Sequence, residues 1–201
     1  MSGMIVVAGR TVMEVTDDFN RADGGLGANY VTIAATPRIL GGKVQGGVPT
    51  MNTAAFYDAR HTTAFTGDSQ EVSFALANPA GIFGNSLGAG VFLRSTVTGD
   101  RVIGVVTGST ALIGTVTGNN PADRASAPIP TPTTARFTAI GNTYSLYVNG
   151  SSTPTVTWTD TAGAAGIGDD NRNWGVYVTA QTTFAGTSYG YAIDAVTARD
   201  L

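Results

Sequence analysis

Thr134–Asn149 reads TARFTAIGNTYSLYVN. Apolar and polar residues alternate on either side of Gly141-Asn142, and a period of two sends successive side chains to opposite faces of a strand. Two Gly/Asn-type residues between such runs mark a tight hairpin, because that turn requires positive φ. The stretch therefore predicts antiparallel strands at Thr134–Ile140 and Thr143–Asn149. Asn149-Gly150 makes a second turn into Thr153–Trp158 (TPTVTW), which completes a three-strand meander.

The same grammar extends outward. Gly90–Val97, Arg101–Thr107 and Thr110–Thr117 form a second meander, turning at Gly99-Asp100 and Gly108-Ser109. Glu71–Ala77 (EVSFALA) sets Val72, Phe74 and Leu76 on one face and Glu71, Ser73 and Ala75 on the other. Further strands are predicted at Tyr30–Ala34, Lys43–Gln45, Ala54–Asp58, Asn173–Thr179 and Tyr189–Ala198. About a dozen short strands with Gly, Asn or Asp between them argue an all-β sandwich or barrel. Gly118–Thr133 breaks the pattern with four of the eight prolines and reads as a long surface loop, the alternative being a linker.

Composition agrees. The chain has 201 residues, of which only 12% are charged, with 27 Gly and 30 Thr. Thr is β-branched and suits strands, while helix formers are scarce, with Glu14, Glu71 and Lys43 the only Glu and Lys. No Cys and a single His61 exclude thiol catalysis, iron–sulfur clusters and multi-histidine metal sites. A net charge of -3 with scattered basic residues argues against nucleic acid. Met4–Ala8 is too short for a signal peptide, no run reaches the ~20 apolar residues of a membrane helix, and no membrane insertion is expected.

Three stretches carry a family resemblance. Asp17–Tyr30, DDFNRADGGLGANY, resembles the opening motif of concanavalin-A-like, LamG-type jelly-roll domains in tail and other virion proteins of phages that infect actinobacteria. Asp17, Phe19, Arg21 and Asp23 fill its fixed positions, Leu26 precedes the motif's glycine, and Tyr30 stands where the family usually has Trp. Phe137–Gly150 is similar to a hairpin of that superfamily, and Ile193–Leu201 to its closing strand, which returns beside the first. Read on its own, the motif is a structural corner: Phe19 and Leu26 anchor the core, Asp23-Gly24-Gly25 turns, and Arg21 pairs with an aspartate or caps carbonyls.

The resemblance implies an all-β, concanavalin-A-like jelly-roll antiparallel β-sandwich over residues 16–201, preceded at 1–15 by an N-terminal arm or outer hairpin. It implies a phage virion structural protein, a minor tail or tail-tip component on the particle surface. Its expected partners are other virion proteins, further copies of itself (a trimer favoured) and a host cell-surface glycan. The alternatives are a carbohydrate-binding, lectin-like module for host cell-wall glycans and a capsid decoration protein.

Candidate chemistry is sparse. Glucanases of the superfamily carry closely spaced acids along one strand, whereas Glu14 and Glu71 each lack an acidic residue two positions away, so no enzyme activity is expected. His61 lies in DARHTT, without a nucleophile elbow, and reads as solvated or loop-packing. Gly84–Gly90 and Gly104–Gly108 lack the Lys-Ser/Thr of a phosphate loop and read as turns or bends. GDDNRN (168–173) gathers Asp and Asn before a strand. Asp170, Asn171, Asn173 and Trp174 form the candidate glycan loop, and Asp169 and Asp170 the candidate calcium ligands, against an ordinary Asx-rich turn. Trp158, Trp174, Tyr144, Tyr147, Tyr177, Tyr189 and Tyr191 are the candidates for stacking on the apolar face of a sugar, against an ordinary place in the sandwich core or on the sheet surface.

Overall fold

A computed structural model describes residues 2–7, 10–118 and 120–201, with side chains from residue 12 onward. Ala8, the end of the Met4–Ala8 run, and Asn119, in the segment read as loop, lie outside the described residues, as do Met1 and Gly9. In chain order the strands are β1 (Ser2–Val7), β2 (Arg10–Asp17), β3 (Gly24–Gly25), β4 (Tyr30–Thr32), β5 (Arg38–Leu40), β6 (Lys43–Gln45), β7 (Thr53–His61), β8 (Gln70–Ala77) and β9 (Ala89–Ser95). There follow β10 (Arg101–Val106), β11 (Thr110–Thr117), β12 (Asn120–Pro128), β13 (Thr134–Ile140), β14 (Thr143–Val148), β15 (Val156–Thr159), β16 (Asn173–Thr183), β17 (Gly186–Tyr189) and β18 (Ala192–Asp200). No α-helix occurs among the described residues; two single 3-10 turns cover Gly84–Ser86 and Asp169–Asn171.

The described strands form two sheets facing each other, a jelly-roll β-sandwich. One has the order β15-β14-β13-β8-β18-β6-β5-β3, with the hairpin β1–β2 joined to β18. The other has the order β12-β11-β10-β9-β16-β7-β4, with β17 beside β16. The closing strand lies beside the opening one, Val196 opposite Asp17 and Ala198 opposite Val15. The β13–β14 hairpin pairs Ile140 with Thr143 around Gly141, whose φ is 56°.

Alternate residues of each strand fill the space between the sheets. Val72, Phe74, Phe137, Leu146 and Val196 come from the first sheet, and Val91, Leu93, Val102, Trp174 and Val176 from the second. Burial of each such side chain is worth about 1.5–3 kcal/mol. The other face of the second sheet is also apolar: Phe92, Ile103, Val105 and Val116 make a separate buried cluster. The Asp58–Arg101 ion pair is buried close by, with Arg101 over the Phe92 ring.

The opening motif closes one corner of the sandwich. Asp17 accepts the Phe19 N–H at 2.9 Å and both terminal nitrogens of Arg21, at 2.7 and 3.0 Å, while Arg21 also donates to the Leu26 carbonyl. Burial alone would raise the Asp17 carboxyl, but the Arg21 and Phe19 hydrogen bonds together outweigh it and hold the group below its usual 3.8. Asp23 accepts the Gly41 N–H at 2.8 Å. Phe19 begins a row of rings that runs through Tyr30 and His61 to Trp174.

Three expectations are corrected. Residues 120–128 are not loop: β12 pairs with β11 along its whole length, with one bulge between Ile113 and Gly114. It is an edge strand exposed along most of its length, so Pro121 and Pro128 are tolerated and no hydrophobic alternation marks it. Gly90 and Gly104 sit inside β9 and β10 rather than at bends. Phe137 packs so closely over Gly104 that a Cβ there would lie 2.6 Å from its ring. His61 is not solvated but buried as the last residue of β7, stacked 4.7 Å from Trp174.

Candidate functional site

The register of the first sheet lines up its outward residues in rows. One row runs Tyr147 (β14), Arg136 (β13), Ser73 (β8), Thr197 (β18) and Thr16 (β2). The next runs Thr157, Ser145, Thr138, Glu71, Arg199 and Glu14. A shorter one holds Thr134, Ala75 and Ala195. The small residues of the first and third rows leave the sheet low between the taller side chains. The result is an open groove of about 480 Å3 lined by Ser73, Ala75, Thr134, Arg136, Tyr147 and Thr197, closed at one end by the Gly150–Ser152 turn.

Its taller wall is built by charge and stacking. The Arg136 guanidinium lies 3.7 Å from the centre of the Tyr147 ring. One of its terminal nitrogens donates to Glu71 Oε2 at 2.9 Å. Arg199 holds the other Glu71 oxygen, Nε donating at 2.8 Å. Glu71 is 3% exposed against 34% for Arg136, so the acid lies beneath the wall and the cation faces the groove. Hydroxyls continue across the sheet, with Thr16 and Thr197 at 3.2 Å and Ser145 and Thr157 at 3.3 Å. Such a surface offers neutral hydrogen bonds, one oriented cation and one aromatic edge.

Both Glu71 oxygens are ion-paired, and the register puts Arg199 between Glu71 and Glu14. Among the described residues no carboxylate lines the groove. Among the described residues no three His, Cys, Asp or Glu gather as metal ligands.

The loop singled out in the sequence is placed differently. Trp174 has no exposed surface; it packs on His61 and Phe65, and its Nε1 donates to the Thr63 carbonyl at 2.9 Å. It therefore presents no face to a ligand. Asn173 is buried, accepting from Arg60 at 3.1 Å and donating to the Ser95 carbonyl at 2.9 Å. Asp169, Asp170 and Asn171 form the 3-10 turn, where Asp169 pairs with Arg172 at 2.8 Å and the Asn171 carbonyl accepts from Gln70. Asp169 and Asp170 are exposed and adjacent. Of the other aromatics, Tyr144 and Tyr191 are buried, while Tyr147, Trp158, Tyr177 and Tyr189 are partly exposed. Tyr177 stacks on Phe56, 6.0 Å between centres, beside a smaller depression of about 250 Å3 on the second sheet. Arg136 escaped sequence reasoning, although its place opposite Tyr147 follows from the hairpin register that the sequence announces.

Compared with known proteins, the sequence matches no family model and no curated protein. Its fold is similar to solved structures. The carbohydrate binding module CBM66 from Bacillus subtilis has a TM-score of 0.57 at 11% identity, over 81% of this chain and 94% of that one. A protein of unknown function with a galectin-like fold from Bacillus subtilis has a TM-score of 0.59 at 8% identity, over 100% and 98%. The CBM2 module of the evolved Dit of Lactobacillus casei BL23 phage J-1 has a TM-score of 0.56 at 9% identity, over 92% and 94%. The architecture is thus that of lectin-like jelly rolls.

Proposed function

We propose that the protein is a carbohydrate-binding module and that a glycan lies in the groove across β14, β13, β8 and β18. The observation that carries this reading is the groove itself: a floor of Ala, Ser and Thr walled by Tyr147 and Arg136, with no acid among the described residues of its lining. A sugar ring has one apolar face and a rim of hydroxyls. The alanine floor and tyrosine edge suit the face, and the serine, threonine and arginine donors suit the rim. Similarity of fold to carbohydrate-binding modules supports the reading. Affinity electrophoresis through gels containing soluble polysaccharides tests it. At least one polysaccharide retards the protein, and Tyr147→Ala abolishes most of the retardation without lowering the melting temperature. If no polysaccharide in a broad panel retards the protein, with or without calcium, the reading fails.

A second reading concerns where the module works. Likeness to a module of a phage Dit supports placement on a phage particle, as a minor tail component that meets host cell-wall glycans beside other virion proteins and further copies of itself. Antibody against this chain then labels the tails of particles that encode it; particles without label contradict the placement.

A further inference from the structure

Resting on the glycan-binding reading, we propose that the groove selects an anionic glycan, and that the free edge of Arg136 grips its carboxylate or phosphate. Among the described residues that line the groove, Arg136 alone is charged. Its guanidinium is held on two sides. The Tyr147 ring lies 3.7 Å away across its plane, and Nη1 is bonded to Glu71. The opposite edge, Nε and Nη2, has no protein acceptor among the described residues. That edge carries two parallel N–H bonds, the fork that matches two oxygens of a carboxylate or phosphate.

The charge count favours the same ligand. Glu71 is shared between Arg136 and Arg199, so one buried carboxylate faces two guanidinium groups. Glu14, the next acid along that row, stands opposite Arg199 on β2, further from the groove. A bound anion would complete Arg136 without displacing Glu71, and the cation is fixed before it arrives, which limits the ordering cost of binding. Ser73 is directly opposite Arg136, with Thr197 next along the same row and Thr134 on the neighbouring one, and these supply hydroxyls for the neutral rim of the same sugar.

The experiment uses the full chain with matched polymers: polygalacturonate, the same polymer after carboxyl reduction, and a polyol-phosphate polymer. Calorimetry reads the affinity of each. Polygalacturonate or the phosphate polymer binds about tenfold or more tighter than the reduced polymer, the size of one charge-assisted bond. Whichever of the two does so identifies the oxyanion. Arg136→Gln and Arg136→Lys both lose the preference, since lysine keeps the charge but not the fork. Lys43→Gln, which removes a cation outside the groove, leaves it intact, and near-ultraviolet dichroism reports that each variant is folded. Equal affinity for charged and reduced polymers overturns the inference and leaves the module reading standing, as does equal loss from Lys43→Gln. Absence of binding to all three and to a neutral panel overturns both.

Discussion

His61 is the chain's single histidine, so its titration can be read without ambiguity. It sits edge-on to Tyr30 and flat on Trp174, and the Thr63 N–H donates to its Nδ1 at 3.0 Å, which leaves that nitrogen without a proton. Burial holds the imidazole below its usual 6.5, against the pull of the Asp17 charge. The unfolded chain therefore takes up a proton more readily than the folded one. The stabilisation is complete above 6.5 and is lost as pH falls from there through the folded value. Urea unfolding followed from about pH 7.5 down to about pH 5 shows falling stability, and His61→Gln flattens that slope. A wild-type curve that is flat or rises toward acid contradicts the burial argument. DARHTT is polar, and only pairing of Tyr30 with His61 at the end of β7 carries the ring inside. Trp174 was the opposite case. Its alternation with Val176 and Val178 was legible as an inward face, yet its place after four Asp and Asn residues drew it toward a surface role.

Elements were legible where two signals agreed. The meanders β9–β10–β11 and β13–β14–β15 combine alternation with Gly or Asn turns, and both appear with the expected neighbours. Strand β12 offered neither signal, because an exposed proline-bearing edge needs no apolar side and is recognised only by its partner. Close contact between sheets was equally silent. Gly104 falls both in the expected strand Arg101–Thr107 and in the glycine-rich stretch read as a bend; it lies mid-strand, where Phe137 from the facing sheet occupies the space its side chain would fill. Gly104→Val overpacks that contact and costs about 1–3 kcal/mol or more. Gly25→Ala is the control: a Cβ there would meet nothing within 4 Å beyond its own chain neighbours, and the change stays within about 0.5 kcal/mol. Chemical denaturation of the two variants checks this, and equal stability would show that the sheets are further apart than described.

At the scale of the whole molecule the two outer faces have different characters. The second sheet covers much of its outer face with its own apolar cluster and the Asp58–Arg101 pair, leaving a small aromatic depression at Phe56 and Tyr177. The first sheet leaves its outer face as an open field of hydroxyls and small residues around Arg136 and Tyr147. Strand alternation in the sequence placed Ser73 and Ala75 on one face, but only the cross-strand register assembles them with Arg136 and Thr197 into a groove. Amide chemical-shift mapping during titration with an oligosaccharide from a retarding polysaccharide separates the two faces most directly. Perturbations should gather at Ser73, Ala75, Thr134, Arg136, Tyr147 and Thr197. Shifts gathered instead around Phe56 and Tyr177, or along Asp169–Trp174, would place the sugar elsewhere and contradict the groove.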